Sequence, residues 1–252
     1  MGSGTPIYSP FHILNTNEVF IRKGQLTLVT AAPGVGKSAI VQSMLQRGDE
    51  QGHVNHTLYH SADTDESTMW VRAAAIATGY ETSDIERDVR EGTVSGYEAE
   101  VRASASHMEF VYDTSPSGED ILMEFEAYAV KYGIYPEVFV MDNLANLYAG
   151  EGEKGDALQG NMDFLHGLAR DTKAAIITLH HTTGEYTNGD RPIPRSGILF
   201  KIDKSPEVVL TLHRRLDQLY VSPVKNRTGK ADARAEWNLP LYADLARIHF
   251  QG

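Results

Sequence analysis

Lys37 and Ser38 close the stretch Ala31-Ala32-Pro33-Gly34-Val35-Gly36, a Gly-containing loop set between an apolar run and a helical segment. That order is what a phosphate cradle requires. Backbone around Gly34 and Gly36 can wrap an anion, and the following helix start adds unpaired N–H groups and the positive end of its dipole. Contact with a nucleotide is therefore expected from Ala32, Pro33, Gly34, Val35, Gly36, Lys37, Ser38 and Ala39. Lys37 would reach the outer phosphates of ATP, and the Ser38 hydroxyl would ligate Mg²⁺. Three further residues stand just beyond other apolar runs: Asp63, Asp142 and His180. Asp142 would hold the metal through water. Asp63 would orient or deprotonate the attacking water, and His180 would sense the γ-phosphate.

These groups meet only if the intervening elements bring them together. Gln25 to Thr30, Thr57 to Ser61, Met108 to Tyr112, Val138 to Asp142 and Ala175 to Leu179 read as strands. Between them Ser38 to Gln46, Ser67 to Thr78, Ser83 to Arg90, Tyr97 to Ala105, Glu119 to Lys131 and Ala157 to Thr172 carry helical spacing. Strands alternating with helices give an α/β fold, a mainly parallel twisted sheet flanked by helices with right-handed crossovers. In such a sheet ligands gather at the carboxyl ends of the strands. The last third changes rhythm. Thr182 to Gly197 is a long polar loop, and Val208 to Leu212, Leu219 to Val224 and Ile248 to Phe250 read as antiparallel strands added at one sheet edge.

The chain has 252 residues, 41% of them apolar, enough for one large core, so 1–252 is expected to be one domain with 1–10 a flexible lead-in. Cysteine is absent, which excludes disulfides and thiolate metal sites and suits a reducing cytoplasm. No apolar run approaches membrane-spanning length, and the opening residues read as neither signal peptide nor anchor. A net charge of −11 argues against indiscriminate coating of nucleic acid. Between Arg191 and Arg234, however, ten Lys/Arg face four Asp/Glu, which is compatible with a local basic face.

Several segments together resemble the RecA-like P-loop ATPase core of the DnaB-type replicative helicases and the related small hexameric phage and plasmid helicases. Ile21 to Leu26 resembles the family's entry to the phosphate loop, Tyr59 to Asp63 the strand ending in its catalytic Glu, and Val138 to Asp142 its second nucleotide motif. Thr178 to His181 is similar to the strand carrying the Gln or His switch. By that resemblance Arg72 packs on the adenine base, Arg227 of Pro223 to Gly229 is a finger inserted into the neighbouring subunit's nucleotide, and Lys225 is its companion. Two positions depart from the pattern: Ala31 replaces a Gly, and Asp63 replaces the Glu, one methylene shorter.

The resemblance implies an ATP-driven motor on single-stranded DNA, a homo-oligomeric ring, most simply a hexamer, and replication proteins as partners in phage DNA replication or recombination. The channel-facing loops would be Tyr148 to Gly160 and Thr182 to Gly197, with Arg191, Arg195, Lys201 and Lys204 on DNA phosphates. Two other classes use the same residues. A metal-dependent nuclease would gather Asp63, Asp65, Glu66 and Asp142 around Mg²⁺ or Mn²⁺, with His180 or His181 as base. A loader or regulatory ATPase would keep the nucleotide site and act on a protein.

Overall fold

The structure, a computed structural model, describes residues 4–148, 154–182 and 184–252. Strands β1 (Pro6–Ile7) and β2 (Ile21–Arg22) form a small antiparallel ladder around helix α1 (His12–Thr16). Ile7 and Ser9 are buried, so the lead-in expected to be flexible is anchored to the body from its first described residues.

The main sheet has nine strands: β3 (Leu26–Ala31), β4 (Thr57–Ser61), β5 (Met108–Val111), β6 (Val138–Asp142), β7 (Ala175–His181), β8 (Val208–Arg215), β9 (Gln218–Asn226), β10 (Leu239–Asp244) and β11 (His249–Gln251). Their order across the sheet is β11-β10-β9-β8-β3-β7-β6-β4-β5. The strands from β8 to β5 are mutually parallel, and β9, β10 and β11 continue antiparallel at the other side. The run at Val208 is not an edge addition but lies parallel beside β3, and the antiparallel extension begins only at β9.

Side chains alternate across each strand, and both faces are covered, which explains the near-continuous apolar runs. Val29, Tyr59, Val140, Ile177 and Leu179 pack on one face with α2 (Lys37–Arg47) and α3 (Glu66–Thr78). Leu28, Leu58, Met141 and Ile176 pack on the other with α6 (Gly118–Tyr132) and α7 (Lys154–Thr172). Helices α4 (Thr82–Glu91) and α5 (Ser95–Ala105) extend the first layer. Local chemistry sets the helix ends. Asp65 caps α3 by accepting from the Thr68 N–H at 3.0 Å, and Ser117 and Asp120 form a reciprocal capping box at α6.

Candidate active site

The phosphate loop leaves β3 at Ala31 and enters α2 at Lys37. Gly36 precedes the helix in the left-handed region, at φ 111, where a β-carbon would be strained and would crowd Leu245. The first turn of α2 carries no acidic residue, so its N–H groups and dipole face no competing carboxylate. Lys37 is itself buried, at 7% exposure. Burial lowers its pKa, and the nearby carboxylates of Asp142 and Asp63 act in the opposite direction. A buried ammonium beside a helix start is suited to an anion entering from solvent.

Asp142 ends β6 and is 2% exposed. Its Oδ2 accepts from the fully buried Tyr59 hydroxyl at 3.0 Å, and its carbonyl accepts from the Ala62 N–H at 2.7 Å. Tyr59 stays protonated, its pKa pushed well up by burial and then by the Asp142 charge. One carboxylate oxygen of Asp142 is thus engaged by Tyr59, leaving the other to accept from a metal-bound water, while Ser38 lies half-buried at the same helix start. This donor set fits Mg²⁺.

The strand carrying the expected sensor requires a correction. β7 runs on through His181, so His180 lies inside it and the two imidazoles point to opposite faces. Leu179 and Ile177 pack on the α2 face, and His181 shares that parity. Its Nδ1 lies 3.4 Å from Lys37 Nζ and its Nε2 lies 3.8 Å from Asp63 Oδ2. His180 belongs to the opposite face, is 1% exposed, and finds no hydrogen-bond partner for either ring nitrogen among the described residues. Burial, then His181 and Lys37, lower its pKa to about 4. His181, rather than His180, is the imidazole presented to Lys37.

Asn143 joins this group although nothing in the sequence singled it out. Its side-chain amino group donates to Asp63 Oδ2 and lies 3.5 Å from His181 Nε2, and its Oδ1 accepts from the Ala145 N–H at 2.7 Å. Lys37, Asp63, Asp142, Asn143 and His181 therefore gather beside the carboxyl ends of β3, β4, β6 and β7. Arg72 of α3 contacts Met69 Sδ at 3.6 Å, and its charge acts on the Tyr59 hydroxyl. Of the four carboxylates invoked for a nuclease, Asp63 and Asp142 belong to this group. Asp65 is occupied as a helix cap, and among the described residues no three His, Asp or Glu side chains are arranged to hold a metal.

The expected DNA and finger residues lie elsewhere. Residues 149–153 and 183 of the two expected loops lie outside the described residues, and 154–160 are the first turns of α7 rather than loop. The second loop is strapped to β8: the Arg214 N–H donates to the Gly189 carbonyl and the Thr211 hydroxyl to that of Ile193, both at 2.8 Å. Gly189 in turn sits against Ala32 and Val35 of the phosphate loop. Arg191 pairs with Glu185 at 3.2 Å and Arg195 with Asp203, whereas Lys201 and Lys204 are exposed. Lys225 Nζ donates to the carbonyls of Asp203 and Lys204, both at 2.8 Å, so its ammonium is engaged within its own chain. Arg227 is half-exposed, 3.6 Å from the buried Glu207, in a cleft shared with Lys23, Arg170 and Lys173. Glu207 also accepts from the Leu26 N–H, which puts Arg227 at the entry of β3, a strand length of roughly 20 Å from its own phosphate loop.

Comparison with known proteins agrees with this architecture. The AAA domain family matches residues 15–185. The Gene 65 protein of Mycobacterium phage L5 is 36% identical over 258 residues, covering 99% of this chain and 91% of the relative. Its namesake from Mycobacterium phage D29 is 37% identical over 235 residues, covering 90% and 96%. Among solved structures, a DnaB-like replicative helicase described with its interactions with primase matches at TM-score 0.82 and 16% identity, over 100% of this chain. The chain spans 64% of that helicase's length. A second solved structure, described as an ATPase domain, matches at TM-score 0.75 and 14% identity, over 91% of this chain and 85% of that one. The chain belongs to the AAA domain family and has the RecA-like fold of the DnaB-type ATPase core.

Proposed function

We propose that this protein is an ATP-hydrolysing motor that acts on single-stranded DNA as a homo-oligomeric ring, a hexamer as the resemblance to the DnaB-type helicases implies, in phage DNA replication or recombination. The observation that carries the reading is the convergence of Lys37, Asp63, Asp142 and His181 beside an acid-free helix start. Lys37 and the loop N–H groups bind the triphosphate. Ser38 and Asp142 would hold Mg²⁺, which when bound neutralises charge on the phosphates. Asp63 orients the attacking water and accepts its proton, and His181 faces the terminal phosphate. Phage origin of the 36% and 37% identical relatives supports the biological setting.

Arg227 supports assembly. Lying at the far end of β3, it cannot reach its own nucleotide but can serve a neighbour's, so hydrolysis would depend on the ring. The exposed Lys201 and Lys204, with Arg191 and Arg195 if their acid partners yield, are the proposed phosphate contacts for DNA. Arg72 is retained as the proposed adenine contact. Among the described residues no helix is long and apolar enough to cross a membrane. The decisive experiment is ATP turnover with and without single-stranded DNA, alongside mass in solution. DNA-stimulated turnover by an oligomer, abolished by Lys37→Ala and by Arg227→Ala with assembly intact, is expected. Turnover that answers only to a protein partner would replace the motor with a loader, and nucleotide-independent DNA cleavage would replace it with a nuclease.

A further inference from the structure

The Asn143 amide has a fixed orientation. The Ala145 N–H donates to Oδ1 at 2.7 Å, so the oxygen and nitrogen ends cannot be exchanged without placing two donors together. The amino end therefore faces the two acceptors on its other side, Asp63 Oδ2 and, at 3.5 Å, His181 Nε2. An amino group has two hydrogens, one for each. A neutral imidazole that accepts at Nε2 carries its proton at Nδ1. Nδ1 is the atom 3.4 Å from Lys37 Nζ, on the side of the phosphate loop.

We propose that Asn143 is a positioning residue for hydrolysis: with nucleotide bound it holds His181 as the Nδ1–H tautomer, and it tethers Asp63 through the same amide. This rests on the phosphate-site reading above. Both His181 nitrogens face donors of their own chain, Asn143 and Lys37, an arrangement at odds with a single lone pair. Once Lys37 turns to the phosphates the conflict is relieved, and Nδ1–H is left to donate to a terminal phosphate oxygen. Loss of that oxygen's charge after cleavage is then felt at His181 and, through Asn143, at Asp63. The groups facing His181 are Lys37 from α2, Asp63 beyond β4, Asp142 from β6 and His180 on its own strand. Asn143 is 3% exposed, so bulk water does not substitute for its amide.

The test has two readouts. Nitrogen-15 spectra of the full chain, with the His181 signals assigned through His181→Gln, report the tautomer without any turnover. With a non-hydrolysable ATP analogue and Mg²⁺ bound, so that Lys37 has turned from Nδ1, the Nδ1–H form is expected in the native protein, and Asn143→Asp, which replaces the donor with an acceptor of the same shape, should move the proton to Nε2. In turnover, Asn143→Asp should lower kcat about a hundredfold, the cost of roughly 1 Å of misplacement. KM for ATP should stay within about twofold, because uniform binding is untouched. An Nε2–H tautomer in the nucleotide-bound native protein, or the same tautomer in both bound proteins, overturns the proposal. Failure of the native protein to bind the analogue would instead overturn the phosphate-site reading, a result that the binding titration tells apart from a wrong tautomer.

Discussion

Gly189→Ala should weaken nucleotide binding from a position outside the phosphate loop. The residue has φ +69, a left-handed conformation that costs an L side chain about 1–2 kcal/mol. Its β-carbon would stand 2.4 Å from Val35 Cγ2 and 3.2 Å from Ala32 Cβ. Ordinary contact begins near 3.4 Å, so Val35 must retreat by about 1 Å. Val35 lies between Gly34 and Gly36 and is 4% exposed, which leaves it little room to retreat except by moving the loop. Overpacking of this kind costs about 1–3 kcal/mol. The part of it released by distorting the cradle weakens ATP about ten- to a hundredfold, at 1.4 kcal/mol per tenfold. Titration with a fluorescent ATP analogue measures this, and Val35→Ala provides the control because it removes the atom in the clash. The double variant should recover at least about 1 kcal/mol relative to additivity. Native affinity in Gly189→Ala, or no recovery on adding Val35→Ala, would refute the idea that the second loop presses on the phosphate cradle.

Other expectations follow from single contacts. Tyr59→Phe leaves the buried Asp142 Oδ2 without its donor and should cost about 1–3 kcal/mol in urea unfolding. Ser117→Ala removes the capping box of α6 and should cost about 1 kcal/mol without altering nucleotide affinity. His180 and His213 have pKa values lowered to about 4, first by burial and then by neighbouring cations, against 6.5 for the free group. The unfolded chain therefore binds more protons in that window, and stability falls as pH drops from about 6.5 toward 4. By pH 5 each imidazole contributes a loss of up to about 2 kcal/mol. Denaturation midpoints at pH 7 and pH 5 should show it, and His180→Asn should reduce it. A midpoint indifferent to that change would count against the buried, neutral imidazole.

The parallel core was legible because its strands are short runs rich in aliphatic, aromatic and β-branched residues set between turn signals, and each of the first helices begins at such a signal. Val138 to Asp142 is the clearest case, its bounds unchanged in the structure. Val208 to Leu212 carried the same continuous apolar signature of a strand buried on both faces. Its position late in the chain concealed that it lies beside β3. β10 was missed because Pro240 interrupts it, and the strand tolerates Pro there because β11 pairs only with Tyr242 to Asp244, which leaves β10 an edge at Pro240. At the site, Lys37, Asp63 and Asp142 follow from strand ends alone. The choice between His180 and His181 needed the extent of β7. Extending the alternation of Ile177 and Leu179 by one step would have selected His181. Asn143 left no such trace, since its contacts depend on three elements meeting and on the Ala145 N–H.

In the proposed site the segment from Ala32 to Ala39 holds a triphosphate through backbone N–H groups and the Lys37 ammonium. Calorimetric titration of the native protein and of Lys37→Ala with ATP and Mg²⁺ tests it most directly. The native protein should bind at one site per chain, with affinity lost at least about a hundredfold in the variant, the order expected when a buried charged partner is removed. Equal affinity in the two proteins, or no binding to either, would contradict it.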